Sequence, residues 1–187
     1  MEDIKRNDYN RTLGLEGNGY SFQITDNGVN KAYTLMPLSL KMKAKFSEWV
    51  VKRNLQSAMD AEQAYNQRIR QLTNDLRNGQ TNSLDEQLAL QECIEQLKDS
   101  AKSQMAEFNA KKSAGEFYFH SKATQQSMST TEGSIYLLSL MLEPKHPTIT
   151  LDQCEELFIN HQTEIIAACR EAQNLGKSQA PMEVVNP

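Results

Sequence analysis

The sequence predicts a mainly α-helical protein with a small N-terminal β-hairpin. Residues 40–78 contain no proline or glycine and carry apolar side chains at helical spacing. A second run of this kind, at residues 84–108, follows a short polar turn. A dense apolar stretch at residues 135–142 lies between helix start and stop signals. We therefore expect a long, coiled-coil-like antiparallel αα-hairpin and a C-terminal helical bundle that packs on the start of the long helix.

Composition limits the class of protein. A chain of 187 residues allows one domain, or one domain with an extended helical element. The formal net charge of -4 gives no general affinity for nucleic acid or anionic lipid. The N-terminus is polar, and the longest apolar run is far shorter than the ~20 residues that cross a bilayer. With three cysteines, an odd number, we expect reduced thiols and a cytoplasmic protein without membrane contact.

The β-hairpin is predicted from two alternating runs, residues 20–25 and 31–36. Residues 26–30 between them are rich in types that tolerate positive φ. The side chains that form one apolar face are Phe22, Ile24, Tyr33 and Leu35. Because a lone hairpin is marginal in water, this face must lie on a helix, join another subunit's sheet or cover a partner.

The two long helices are bounded by proline, glycine and capping residues. Pro37 ends the second strand, and Ser39 caps the first long helix. Gly79 ends that helix, and Ser83 with Glu86 opens the next as a capping box. The two apolar seams comprise Phe46, Trp49, Val50, Leu55, Tyr65, Ile69, Leu72 and Leu76, then Leu90, Ile94, Leu97, Ala101, Met105 and Phe108. The short turn favours pairing within one chain, with an oligomer interface as the alternative.

The C-terminal part begins with two polar connections and ends in shorter helices. Residues 116–120 are β-prone by composition, although a helix is also compatible, and residues 124–131 are expected to be a polar link. Thr130 or Thr131 caps an apolar helix that two prolines end. Thr150 opens the last helical segment, with Gln153 in the capping-box position and a bend near residues 161–163.

These elements predict five parts along the chain. They are a polar arm (1–12), the β-hairpin (13–38), a helical core (39–55 with 116–176), a projecting αα-hairpin (56–112) and a flexible tail (177–187).

No motif indicates catalysis or a metal site. The three histidines are scattered, and no CxxC or HxxxH spacing occurs. Cys154 and His161 are seven residues apart, but two ligands make no site, and we interpret them as core residues. The glycines of residues 14–19 are not followed by Lys-Ser/Thr, so a strand turn is favoured over a phosphate loop. We expect neither an enzyme, a cofactor nor a metal.

Basic residues concentrate at the start of the long helix. They are Lys41, Lys43, Lys45, Lys52 and Arg53. Helical geometry spreads them around the circumference, and no interleaved aromatics suggest base stacking. We do not expect nucleic-acid binding.

Two phrases in the sequence carry a resemblance to a known family. The first is YTLMPLSL at residues 33–40, followed by FSEW at 46–49. The second is TTEG at 130–133, then three leucines, then HPTIT at 146–150. Their content and order resemble those of the tail assembly chaperones of long-tailed bacteriophages. The long hairpin looks like an insertion relative to compact members of that family.

The resemblance implies binding without catalytic residues. Such proteins hold the helical tape measure protein soluble in the host cytoplasm while tail tube subunits polymerise around it. Methionines suit a groove that adapts to a helical client and releases it. The candidate partner-binding residues are Met36, Met42, Phe46 and Trp49, of which Phe46 and Trp49 are expected to be structural anchors that place the groove.

Two other classes stay open from the sequence. One is a phage virion structural or scaffolding protein that acts through helical and β-hairpin subunit contacts, including self-association into a homo-oligomer. The other is an enzyme subunit or a regulatory adaptor, for which a concave pocket with convergent polar groups would be the sign.

Overall fold

A computed structural model of the chain describes residues 19–26, 28–78 and 83–177. The predicted polar arm (1–12), the Gly79 helix end and residues 178–187 of the predicted tail lie outside this part. The elements are β1 (Tyr20–Asp26), β2 (Val29–Leu35), α1 (Leu40–Arg77), α2 (Leu84–Ser113), α3 (Lys122–Met128), α4 (Thr131–Leu142), α5 (Leu151–Asn160) and α6 (Gln162–Lys177). The predicted fold class is confirmed: the protein is mainly helical, with an N-terminal antiparallel hairpin of two strands.

The chain divides into two compact units. The first unit comprises Met1–Phe46 and Ser127–Pro187, and the second comprises Ser47–Gln126. The first boundary falls inside α1 and the second inside α3. Each unit therefore begins or ends within a helix rather than in a loop.

The β-hairpin of the first unit has one face on the helices. Tyr20 pairs with Leu35 at one end of the ladder, and Gly28 makes the turn with a φ of 79°, a conformation that suits glycine. Ile24 and Leu35 are buried in the core. The sheet contacts α4 and α6. The apolar face of the hairpin was expected to lie on a helix, join another subunit's sheet or cover a partner. The structure shows that it packs on helices.

A single apolar core joins the hairpin to α4, α5 and α6. Its buried members are Ile24, Leu35, Ile135, Leu138, Met141, Leu142, Cys154, Phe158, Ile165, Ala168 and Ala172. The helix α4 contributes most of the leucine and methionine and is buried on nearly all sides, as its dense apolar composition predicts. Cys154 is fully buried here, in agreement with its interpretation as a core residue.

The helix starts of the first unit follow local capping rules. The Thr130 hydroxyl accepts a hydrogen bond from the Gly133 amide at 3.1 Å, which settles the choice between two threonines. Thr150 and Gln153 form both bonds of the predicted capping box. The expected bend near residues 161–163 is a full break at His161 (φ -135°, ψ 39°), which separates α5 from α6.

The second unit is built on the predicted αα-hairpin, in which α1 packs against α2. The buried seam residues of this unit are Val50, Leu72, Ile94, Ala101 and Phe108, and Ala58, which the predicted seam did not include, is buried as well. The Ser83 hydroxyl accepts from the Glu86 amide at 3.2 Å, as an N-cap should.

Two expectations for the second unit are wrong. Residues 116–120 form turns rather than a strand, because Gly115 (φ 73°) ends α2 in a Schellman motif with a Glu116 N–H to Lys111 C=O bond of 3.0 Å. The expected polar link is instead largely the short helix α3. Its Thr124 is fully buried, and the Ser121 hydroxyl accepts from the Thr124 amide at 3.2 Å. Serine capping lets a polar sequence form a helix that composition alone does not indicate.

In the part of the chain that the structure describes, no helix is long and apolar enough to cross a membrane.

Candidate partner-binding site

The start of α1 is fixed by a reciprocal cap that includes a methionine. The Ser39 hydroxyl accepts from the Met42 amide at 3.2 Å, and the Met42 sulfur accepts from the Ser39 amide at 3.4 Å. This is the arrangement of a capping box with sulfur in the place of a Glu or Gln side chain. Met42 is only 8% exposed. Its sulfur therefore orders the first turn of the helix.

The next turn of α1 lies against α4. Phe46 has no exposed surface, and its ring centroid is 6.1 Å from that of Tyr136. The Lys45 ammonium contacts both carboxylate oxygens of Glu143, at 2.9 and 2.7 Å. This hydrogen bond raises the pKa of Lys45, so its exposed ammonium stays charged at neutral pH. An apolar contact and an ion pair thus hold the first turns of α1 in place.

The outer edge of β2 is attached to α4 and to the connection that follows it. The Thr34 amide donates to Nε2 of His146 at 2.9 Å, across 112 positions of sequence. The rings of Tyr33 and His146 are 5.6 Å apart. The Met36 amide donates to the Met141 carbonyl at 2.9 Å. Residues 33–40 of the first phrase and residues 130–150 of the second therefore lie together in the first unit, whereas residues 47–49 of the FSEW segment belong to the second unit.

The structure places the four sequence-predicted residues in different surroundings. Phe46 and Met42 are buried and serve packing and capping. Met36 is half-buried beside Gly19, where a Cβ on the glycine would lie 3.0 Å from the Met36 sulfur. Trp49 belongs to the second unit, is half-buried and has the Arg53 guanidinium 5.3 Å from its ring centroid.

One exposed residue at this location was not singled out from the sequence. Leu40 is the first residue of α1 and is 84% exposed, the highest value among the large apolar side chains that the structure describes. At 100° per residue Leu40 lies about 120° around the helix from Phe46 and about 80° from Val50, so a helical-wheel plot does not assign it to a buried or an exposed side. We use the name α1-start surface for exposed Leu40 together with half-buried Met36, four residues before it in the chain.

A polar pocket of about 340 Å³ lies elsewhere in the first unit, between β2 and α5. The side chains that line it include Lys31, Tyr33, His146, Gln153, Glu156 and His161. The sequence does not predict that His146 and His161 line one pocket, because only the fold brings the connection from α4 to α5 and the end of α5 to the same place. Among the described residues, no group of three or more His, Cys, Asp or Glu side chains is placed to hold a metal ion. The pocket offers hydrogen-bonding groups of mixed charge.

No protein-family model matches the chain, and neither a curated protein nor a solved structure matches it. The fold and surfaces define a mainly helical protein made of a hairpin-and-helix unit and an αα-hairpin unit.

Proposed function

We propose that this protein is a phage tail assembly chaperone-like protein that binds the tape measure protein and keeps it soluble during tail assembly. The observation that carries the proposal is the meeting of the two resemblance phrases through Thr34 and His146. Each phrase alone is weak evidence for a family, because proline and capping residues occur at the ends of many helices. A direct bond between them across the chain favours a shared structural role over coincidence.

The α1-start surface suits a helical client. A tape measure protein before assembly exposes apolar helical stripes that would otherwise aggregate. Leu40 presents nearly its whole side chain, and Met36 supplies a flexible thioether that adapts to different partners. Covering one leucine side chain contributes about 1.5–3 kcal/mol, so a small apolar surface gives the moderate, reversible affinity that client release requires.

A second candidate function is that of a virion structural or scaffolding protein. The observation that favours it is an exposed apolar pair on α2, where Leu84 is 70% and Leu88 55% exposed. Residues at this spacing share one side of a helix and can pack against a second copy. In this alternative the protein self-assembles without any client.

Co-expression with the tape-measure-like reading frame of the same genome, followed by pull-down and light scattering, separates the two functions. We expect a soluble complex with wild type and a client that is insoluble alone. The matched variants are Leu40→Lys in the first unit and Leu84→Lys in the second. Both put a lysine at a highly exposed leucine within a helical first turn.

The variants give opposite results under the two functions. The chaperone function predicts that Leu40→Lys weakens client binding about tenfold or more, since a 1.4 kcal/mol loss is tenfold, whereas Leu84→Lys does not. A structural role predicts discrete self-assembly of the chain alone, which Leu84→Lys abolishes. Absence of any complex with the client, together with such assemblies, would overturn the chaperone proposal.

A further inference from the structure

The hydrogen bond between β2 and His146 can form only when one nitrogen of the imidazole ring carries no proton. A backbone amide only donates, so Nε2 of His146 must be an unprotonated acceptor while it receives the Thr34 N–H at 2.9 Å. The neutral ring then carries its proton on Nδ1. Protonation would turn both ring nitrogens into donors and leave the Thr34 amide facing a cation.

We propose that His146 is a pH-sensitive latch that holds the β-hairpin to the connection between α4 and α5 at neutral pH and releases it in acid. Two bonds attach the outer edge of β2 there, Thr34 to His146 and Met36 to the Met141 carbonyl. Only the first depends on a titratable acceptor. Loss of the bond from Thr34 to His146 leaves the half-buried Thr34 amide without an acceptor and weakens the attachment of β2.

The groups around His146 carry opposite charges. Lys31 and Tyr33 of β2, Glu156 of α5 and His161 after α5 line the same pocket as His146, and the Tyr33 ring contacts the His146 ring. Lys145 precedes it in the chain. Lys31 brings a positive charge and Glu156 a negative one to this pocket. Protonation of the imidazole is the chemical change that would remove its acceptor nitrogen, so acid is the signal that the latch responds to.

The pH dependence of the latch has a defined direction. The bond is present above the titration range and is lost as the pH falls through it, because only the neutral ring accepts. Opening exposes the Thr34 amide at the edge of the sheet, next to the pocket that contains His146. This inference concerns the chain alone and does not depend on the client.

Hydrogen exchange of the Thr34 amide, followed by NMR and corrected for the intrinsic pH dependence of exchange, tests the proposal. Between pH 7.5 and 5.5 we expect its protection factor to fall about fivefold, as for loss of one hydrogen bond of about 1 kcal/mol. In His146→Gln the amide oxygen reaches the place of Nε2 and does not titrate, so the fall disappears. The matched control His161→Gln removes the other histidine of the pocket and keeps the fall.

Two results would overturn the latch. One is a Thr34 protection factor that does not change with pH in wild type, or that still changes in His146→Gln. The other comes from the wild-type imidazole nitrogens, whose NMR shifts report the tautomer whether or not a variant folds. A proton on Nε2 of His146 at neutral pH is incompatible with the bond.

Discussion

Replacement of Gly133 by alanine tests how α4 begins. A Cβ built on Gly133 would lie 1.8 Å from the carbonyl oxygen of Ser127 and 2.7 Å from its carbonyl carbon. Both are backbone atoms, so no rotamer change can make room. The same carbonyl accepts from the Thr130 hydroxyl at 2.8 Å, and the Thr130 hydroxyl caps α4. Moving the Ser127 carbonyl therefore disturbs the helix cap as well.

Two opposing effects determine how much Gly133→Ala changes the free energy of unfolding. Alanine is favoured over glycine inside a helix by about 1 kcal/mol, so without a clash Gly133→Ala would stabilise the protein. Overpacking of a closely packed site costs about 1–3 kcal/mol, and loss of a threonine cap costs about 1 kcal/mol. We expect a net loss of about 1–2 kcal/mol in the free energy of unfolding. The sign is thus opposite to that of helix propensity.

Urea unfolding followed by circular dichroism, with hydrogen exchange across α4, measures this loss. The control is Gly28→Ala, since no atom lies within 4 Å of a Cβ there and the positive φ of 79° is the source of its strain. That variant should lose about 1 kcal/mol without faster exchange in α4. Stabilisation by Gly133→Ala, or unchanged exchange in α4, would refute the reasoning.

Three further predictions concern the core, a cap and the thiols. Phe46→Ala should lower the free energy of unfolding by about 3–5 kcal/mol in urea titrations, because it empties a fully buried ring site. Thr150→Ala should cost about 1 kcal/mol through loss of the capping box, and Thr150→Ser should restore it. Burial raises the pKa of Cys154 to about 11 and that of Cys169 to about 12. At pH 8 a thiol reagent should modify exposed Cys93 first, then half-buried Cys169, and fully buried Cys154 last, because access of the reagent decides between two thiols that are both protonated at this pH.

The thiols also give a pH dependence of stability. Folding keeps both buried thiols protonated, so their contribution is complete below the ordinary pKa of 9.0 and is lost as the pH rises toward 11 and 12. Stability that rises over this range would contradict their burial. Equal reaction rates of all three cysteines in the native protein, a mild effect of Phe46→Ala, or a neutral Thr150→Ala would each contradict its own prediction.

The parts of the fold that follow local rules could be predicted from the sequence. Thr130 and Thr150 cap helices because a side-chain oxygen needs only a nearby amide three residues on. The hairpin face was predictable because residues two apart share a side of a strand. The helix α3 was missed, since a buried Thr124 held through Ser121 looks polar in composition.

The surfaces were less predictable because they depend on tertiary contacts. The sequence predicts Met42 as a partner residue, which stays a prediction, and the structure adds that its sulfur caps its own helix. Phe46 is buried, as suits a structural anchor. The approach of His146 to Thr34 spans 112 positions, and no local pattern reports it. The exposure of Leu40 likewise comes from the structure, because helical periodicity places it close to predicted seam positions.

Client solubility is the measurement that tests the proposed function most directly. The fraction of the tape-measure-like protein that stays soluble is determined with no partner, with wild type and with Leu40→Lys. We predict an insoluble client alone, a soluble complex of defined mass with wild type, and at least a tenfold weaker complex with Leu40→Lys. A client that is equally soluble with and without this protein, or one held as well by Leu40→Lys, would contradict the account.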